Sequence, residues 1–290
     1  MAKQRCKGVQ LIILSSFFYA LMSAFVSMAG DLPFFQKVLF RNGVALVVSG
    51  GVILAKRIPV VVSKAGRGPL ACRIILGFIG VVCNYYAIDH LMLASSNSLQ
   101  KLSPFFAILF AALFLKERVS RAQAGCIIVA LVGSAFLIFP NLKMIGFSSC
   151  IALLGGIATG GTHVSLRALR SRSDIDGSVI VFLFSLFSTV LTAVPCTLHW
   201  SAMEPWQVLC LLLAGASCAI AQYALTGAYR YAAPKEISIY DCTQIIFSGL
   251  LGYFLFRQIP DGYSLIAYAL IIAASTLLFL DYRQADRRAS

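Results

Sequence analysis

Four ionisable side chains stand inside long apolar runs of this sequence. Arg41 is followed by Asn42, Lys101 follows Gln100, His163 follows Thr162, and Asp241 follows Tyr240 one turn before Gln244. An ionisable group within a membrane-crossing helix costs about 2.5–3.5 kcal/mol on insertion scales, so it normally faces a bundle interior or a wet cavity. Asn97, Gln100 or Lys101, and Pro104 share one helical face, as do Ile237, Tyr240 or Asp241, and Gln244. Pro104 lacks an amide hydrogen, which loosens the preceding turn and frees a carbonyl for ligand or water.

Each of these groups has more than one reading. Lys101 is either a counter-charge for an anionic substrate group, such as a carboxylate, or half of a structural ion pair with Asp241. Asp241 is either a carboxyl that takes up and releases a coupling proton or a carboxylate held ionised beside Lys101 or Arg41. Arg41 reads as structural, bonding carbonyls or pairing with Asp241. His163 is a candidate proton carrier, yet Thr159, Gly160 and Gly161 beside it favour close helix packing. Asn84, Tyr85 and Tyr86, and further on Gln222 and Tyr223, add hydrogen-bonding and aromatic groups within apolar runs.

The elements that must carry these residues follow from composition. The 290 residues are 59% hydrophobic and 12% charged, and the mean hydropathy is +0.86. Soluble proteins carry about 45–50% apolar and about 25% charged residues. A soluble enzyme, a secreted domain and a disordered chain are thereby excluded, and the chain is an all-α integral membrane protein. The net charge of +13 comes from 24 Lys and Arg against 11 Asp and Glu. Because the basic residues recur in short clusters between apolar runs, they read as topology signals against anionic lipid and not as a nucleic-acid surface. The nine cysteines include no CxxC and mostly fall in apolar runs, so neither a metal site nor a cofactor is expected. No Walker loop, GxGxxG or recognisable Ser/His/Asp arrangement is present, and the loops are too short for a soluble catalytic domain. No enzymatic activity is expected.

A crossing helix needs about 20 residues. Apolar runs bounded by charge, Gly and Pro give ten spans, at 9–29, 34–55, 70–88, 93–115, 121–139, 146–167, 177–195, 206–227, 236–256 and 262–281. The first run is too long for a cleaved leader and is assigned as a span. With the N-terminus inside, 19 basic residues fall on the cytoplasmic side, Arg73 among them, and three (Lys37, Lys143 and Arg257) on the other. This asymmetry predicts both termini cytoplasmic and fits an inner membrane.

Residues 87–120 and 228–261 superpose without a gap at an offset of 141. Identities are few, but both have a short loop, a span with polar residues in its first third, an aromatic second half and a charged exit. At this offset Gln100 corresponds to Asp241 and Ser103 to Gln244. The expected halves are 1–140 and 141–290, five spans each, the second inverted because five is odd. Inverted repeats are the usual construction of secondary transporters.

The stretch LSPFFAILFAALFLKERVSRAQAGCIIVALVGSAFLIF and its echo at 240–280 resemble the drug/metabolite transporter superfamily, EamA type. Pro104-Phe105, Lys116-Glu117-Arg118, Gly125 and Gly133 carry the likeness, whereas Ile245 replaces the helix proline and Gln258 the exit glutamate in the second half. The resemblance implies ten helices in an inverted five-plus-five arrangement around a central cavity. On that arrangement the substrate-binding candidates are Gln100, Lys101, Asp241, Gln244, Asn84, Tyr85, Gln222 and Tyr223, with Asp241 and His163 as proton-coupling candidates. The expected partners are a small-molecule substrate and membrane lipids, with no nucleic acid, and a homodimer is an open option. The alternatives are a lipid-acting membrane enzyme and a non-transporting scaffold or sensor.

Overall fold

The computed structural model describes residues 2–115, 119–138, 146–172, 175–198, 200–231 and 240–289. In lipid, every backbone N–H and C=O must be satisfied within the protein, and a helix does this within each segment. The described residues are accordingly helical throughout their long elements and contain no strand. The helices are α1 (Ala2–Met28), α2 (Phe34–Lys56), α3 (Lys64–His90), α4 (Leu93–Gln100), α5 (Ser103–Leu115), α6 (Arg121–Ile138), α7 (Gly146–Arg172), α8 (Gly177–Leu198), α9 (Pro205–Tyr231), α10 (Thr243–Phe256) and α11 (Gly262–Ala289).

Among the described residues, eight helical segments are long and apolar enough to cross a membrane, with α4 and α5 together making one of them. The fifth and ninth expected spans are represented by shorter apolar helices, Arg121–Leu137 and Thr243–Phe256. Residues 236–239 of the ninth expected span lie outside the described residues.

Two helices are broken. α4 ends at Gln100, Lys101 takes φ −72° and ψ 0°, and α5 restarts at Ser103. The proline explains this break: Pro104 has no N–H to offer the carbonyl four residues back. The second break is at Cys242, between the helical residues 240–241 and α10. It has no proline. At the offset of 141, Lys101 and Leu102 fall on Cys242 and Thr243, so the two interruptions coincide.

The principal packing partners are α1 with α9 and α10, α7 with α3, α4 and α5, α2 with α8 and α9, and α6 with α11. One apolar cluster joins Leu99, Leu102, Phe105, Ala130 and Ile271, and a second joins Met22, Val38, Tyr85, Leu93 and Cys218. Outward-facing Val47, Leu54, Leu113, Phe114, Val190 and Val194 remain exposed. That much apolar surface is suited to lipid.

Small residues on α7 let the first broken helix approach closely. A Cβ at Gly156 would stand 2.7 Å from the Leu99 carbonyl oxygen, and one at Gly160 would stand 2.9 Å from that of Ser103. The paired glycines thus seat backbone against backbone on both sides of the break.

The bundle end that carries Met28, Phe34 and His90 is closed by side-chain bonds to backbone. Gln36 Nε2 donates to the Ser201 carbonyl at 3.0 Å and Gln36 Oε1 accepts from Ser201 N. Gln207 Nε2 donates to the Ala29 carbonyl at 2.9 Å, and Leu93 N donates to Gln258 Oε1 at 3.0 Å. Lys37 is also here. The expectation counted it as a basic residue of the non-cytoplasmic side, at the start of the span 34–55; it is 1% exposed and paired with Asp89. Arg73, counted with the cytoplasmic cluster, instead lies within α3 with its Nε buried. A charge near a helix end reads as a topology signal, and only the packing of neighbouring helices reveals whether it is enclosed.

Candidate functional site

Lys101 and Asp241, each at a helix break, meet. Lys101 Nζ lies 2.5 Å from Asp241 Oδ2, and the two side chains retain 11% and 28% exposure. The breaks make the meeting possible, because an interrupted helix can turn a residue inward without the side chain crossing a packed helix face. Ser16 of α1 donates from Oγ to the Asp241 carbonyl at 3.2 Å and to its Oδ1 at 3.3 Å. The pair therefore ties three elements far apart in sequence.

A fully enclosed polar network lies beside it. Asn97 Nδ2 donates to Ser248 Oγ at 2.9 Å, and Asn97 Oδ1 accepts from Gln244 Nε2 at 2.8 Å. Ser23 Oγ is 3.3 Å from Asn97 Nδ2. Asn97 is thus saturated by α1, α4 and α10, and buried polar groups satisfied in this way fix one arrangement of helices. Gln244 belongs to this network, with its amide directed at Asn97.

The other candidates divide. Gln100 Oε1 accepts from Thr159 Oγ1 at 3.4 Å, while Gln100 Nε2, Asn84 Oδ1 and the Tyr85 hydroxyl are buried without a partner. Gln222 Nε2 donates to Cys218 Sγ at 3.6 Å. His163 is solvent-accessible yet within electrostatic reach of Arg73, Asp241 and Lys101. Tyr223 is not brought to this group: it lines an open apolar groove of about 540 Å³ with Leu11, Val44 and Ile220, on the outside of α1, α2 and α9. One residue along a helix turns the side chain by about 100°, so Gln222 and Tyr223 face different ways.

Two arginines join the interior. Arg41 is 6% exposed. Its Nε and Nη2 point at Cys218 Sγ, 3.1 and 3.0 Å away, and Nη1 donates to Asn42 Oδ1 at 3.0 Å. The Arg73 guanidinium stands 5.2 Å from the centre of the Phe184 ring. Arg73 is the functional candidate that sequence reasoning left among the loops. The signal available was its position four residues inside an otherwise apolar run beginning at Leu70.

This architecture, all-helical with several apolar crossing helices and interrupted helices that carry charge into the interior, is that of a multi-pass membrane protein. Residues 6–139 match the EamA-like transporter family. The likeness to that family covers the first half of the chain, and the relatives below, matched along most of this chain, are named as transporters. It is 29% identical over 279 residues to the "Pseudopaline exporter CntI" of Pseudomonas aeruginosa (strain UCBPP-PA14), covering 93% of this chain and 95% of that protein. It is 26% identical to the "Riboflavin transporter" of Rhizobium johnstonii over 74% of this chain and 71% of that one. It is also 21% identical to the "S-adenosylmethionine uptake transporter" of Rickettsia bellii over 72% and 71%. One solved crystal structure aligns with a TM-score of 0.69 over 96% of this chain and 98% of its own, at 17% identity, a likeness of fold alone.

Proposed function

We propose that this chain is a secondary active transporter, an exporter or exchanger, of a small polar or amphipathic metabolite such as an amino acid or related compound. It works by alternating access between two inverted halves of five crossing segments, residues 1–140 and 141–290. The pattern of packing supports the halves. At the offset of 141, α1, α2, α3 and α6 correspond to α7, α8, α9 and α11, and α4–α5 corresponds to the segment ending in α10. The contacts of α1 with α9 and α10 then have counterparts in those of α7 with α3 and α4–α5, while α2 with α8 and α6 with α11 pair each element with its own counterpart. A pseudo-two-fold relation has this consequence. The excess of basic residues in one set of loops favours cytoplasmic termini in an inner membrane, and moving Lys37 and Arg73 into the interior leaves that excess in place.

The observation that carries the reading is the Lys101–Asp241 pair, formed between the two halves at coincident helix breaks. Rocking of one half against the other has to make and break such a pair, and a substrate group that replaces one partner couples binding to that motion. Gln100, Asn84, Tyr85 and Gln222 supply the neighbouring polar surface, Gln244 orients the second broken helix through Asn97, and Tyr223 is the weakest member of the set. Asp241 and His163 are the candidates for a coupling proton.

Counterflow in proteoliposomes, offered a pooled panel of labelled amino acids, nucleotide derivatives and organic acids, tests the reading. Accumulation of a compound by the intact chain, with loss in Lys101→Ala and Asp241→Ala, is the expected result. Normal accumulation in both variants removes the site assignment, and no accumulation by folded protein of any compound counts against transport of these classes.

A further inference from the structure

The interior holds more positive charge than its own groups neutralise. Among the described residues the ion pairs are Lys37–Asp89 and Lys101–Asp241. Arg41 and Arg73 therefore have no carboxylate partner there. The donors of Arg41 are spent on the Cys218 thiol and one amide oxygen, and sulfur is a weak acceptor. Arg73 Nε has no hydrogen-bond partner at all.

The two guanidinium groups are within electrostatic reach of each other and of Tyr19, which also senses Asp241. Like charges brought together away from bulk water repel strongly. A purely structural arginine in a membrane interior ends on a carboxylate or on backbone carbonyls; Arg41 ends on a thiol and an amide oxygen, and Arg73 faces the Phe184 ring. Tyr85, within electrostatic reach of Arg41, adds a buried hydroxyl without a partner. The unpartnered Arg73 Nε and Tyr85 hydroxyl, with two interior cations that lack a carboxylate, are complementary to a ligand that brings anionic oxygens.

We propose that Arg41 and Arg73 form an oxyanion subsite in the bundle interior and that the transported substrates carry a carboxylate or a phosphate bound there. The inference rests on the transport reading above and narrows its substrate class. A guanidinium fork matches two oxygens of either group. The subsite leaves Lys101 free to exchange between Asp241 and the substrate, so the anion is anchored by residues of α2 and α3 while the pair between halves opens.

Two measurements on the detergent-purified full chain test this. In the first, thermal unfolding is followed with sodium benzoate or sodium phosphate titrated at constant ionic strength against chloride. Saturable stabilisation is expected in the wild type and is expected to be at least about tenfold weaker in apparent affinity in Arg41→Gln and Arg73→Gln. Arg41→Lys and Arg73→Lys, which keep the charge, serve if the glutamine variants do not fold, and are expected to keep part of the response. Absence of stabilisation by either anion, or an equal response in wild type and all arginine variants, overturns the subsite. Benzoate active without phosphate selects the carboxylate, and the reverse selects the phosphate.

The second measurement is the counterflow panel, extended with the methyl esters and amides of each acid. Uptake of an acid but not of its neutral derivative is expected. Equal uptake of both overturns the subsite while leaving transport intact, whereas anion stabilisation without any counterflow supports the subsite and counts against the transport reading.

Discussion

Two Lys–Asp pairs of the same geometry stand in different regions. Lys37–Asp89 joins α2 to α3 within the first 140 residues, its side chains 2% and 18% exposed. Lys101–Asp241 joins the two broken helices from opposite ends of the chain, its side chains 11% and 28% exposed. Around the first pair, the nearby helix ends are tied by Gln36, Gln207 and Gln258 to backbone groups. Around the second, Gln100 Nε2, on the residue before Lys101, is left without a partner. The cost of desolvating two charges applies to both. A pair sealed among tied helix ends closes a bundle end. A pair with more exposed side chains, beside an unsatisfied amide, is a place where another group can substitute.

The largest effect is expected at the central pair. Lys101→Ala is expected to reduce counterflow by about 100-fold or more, as losing a charge-assisted contact made at the turning point would, while the protein still inserts and its thermal unfolding changes little. Lys37→Ala is expected to do the reverse. It leaves the Asp89 carboxylate partly buried without its partner, at a cost of about 3 kcal/mol, visible as a lower unfolding temperature, with counterflow per folded molecule retained. Replacing both partners, as Lys37→Met with Asp89→Leu, is expected to recover most of that stability, because an apolar pair pays no desolvation.

Smaller effects sharpen the same contrast. Gly156→Leu drives a side chain into the Leu99 carbonyl, where even a Cβ would be 2.7 Å away. About 1–3 kcal/mol of stability should be lost, together with transport, because the seat of the first break is displaced. The smallest effect lies at the start of α11. Asp261 accepts hydrogen bonds from Ser264, including one from its backbone N at 2.8 Å, which hold its carboxyl below the usual carboxylate range. A depressed value in the folded state means that this contribution is present above the unfolded value of about 3.9 and is lost as pH falls through the folded one. Asp261→Ala should therefore cost about 0.5 kcal/mol at neutral pH, the low end for an exposed cap, and remove this increment of acid sensitivity from the unfolding profile.

Much of this architecture is legible in the sequence because lipid imposes a coarse code: long apolar runs must be helices, and charge marks their ends. The polar stretch Ser95 to Lys101 and Pro104 announce the first helix break. The second was legible only through the repeat, because Ile245 stands where the proline would be and the chain turns at Cys242 without it. Whether Lys101 reaches Asp241 depends on the relative depth of two helices separated by more than 100 residues, and neither helical spacing nor hydropathy encodes that. Arg41 read as structural, bonding carbonyls or pairing with Asp241, whereas its donors go to Cys218 and Asn42; Lys37 and Arg73 read as topology charges because enclosure is a property of neighbouring helices. Tyr223 failed to join the group for a local reason, the turn of the helix between it and Gln222, which a helical-wheel argument could have anticipated.

The most direct measurement compares counterflow per folded molecule in Lys101→Ala and Lys37→Ala, reconstituted side by side with the wild type and offered the same labelled panel. The central claim predicts that Lys101→Ala loses uptake while Lys37→Ala retains it and loses only thermal stability. Equal uptake in the two variants, or loss confined to Lys37→Ala, would contradict it.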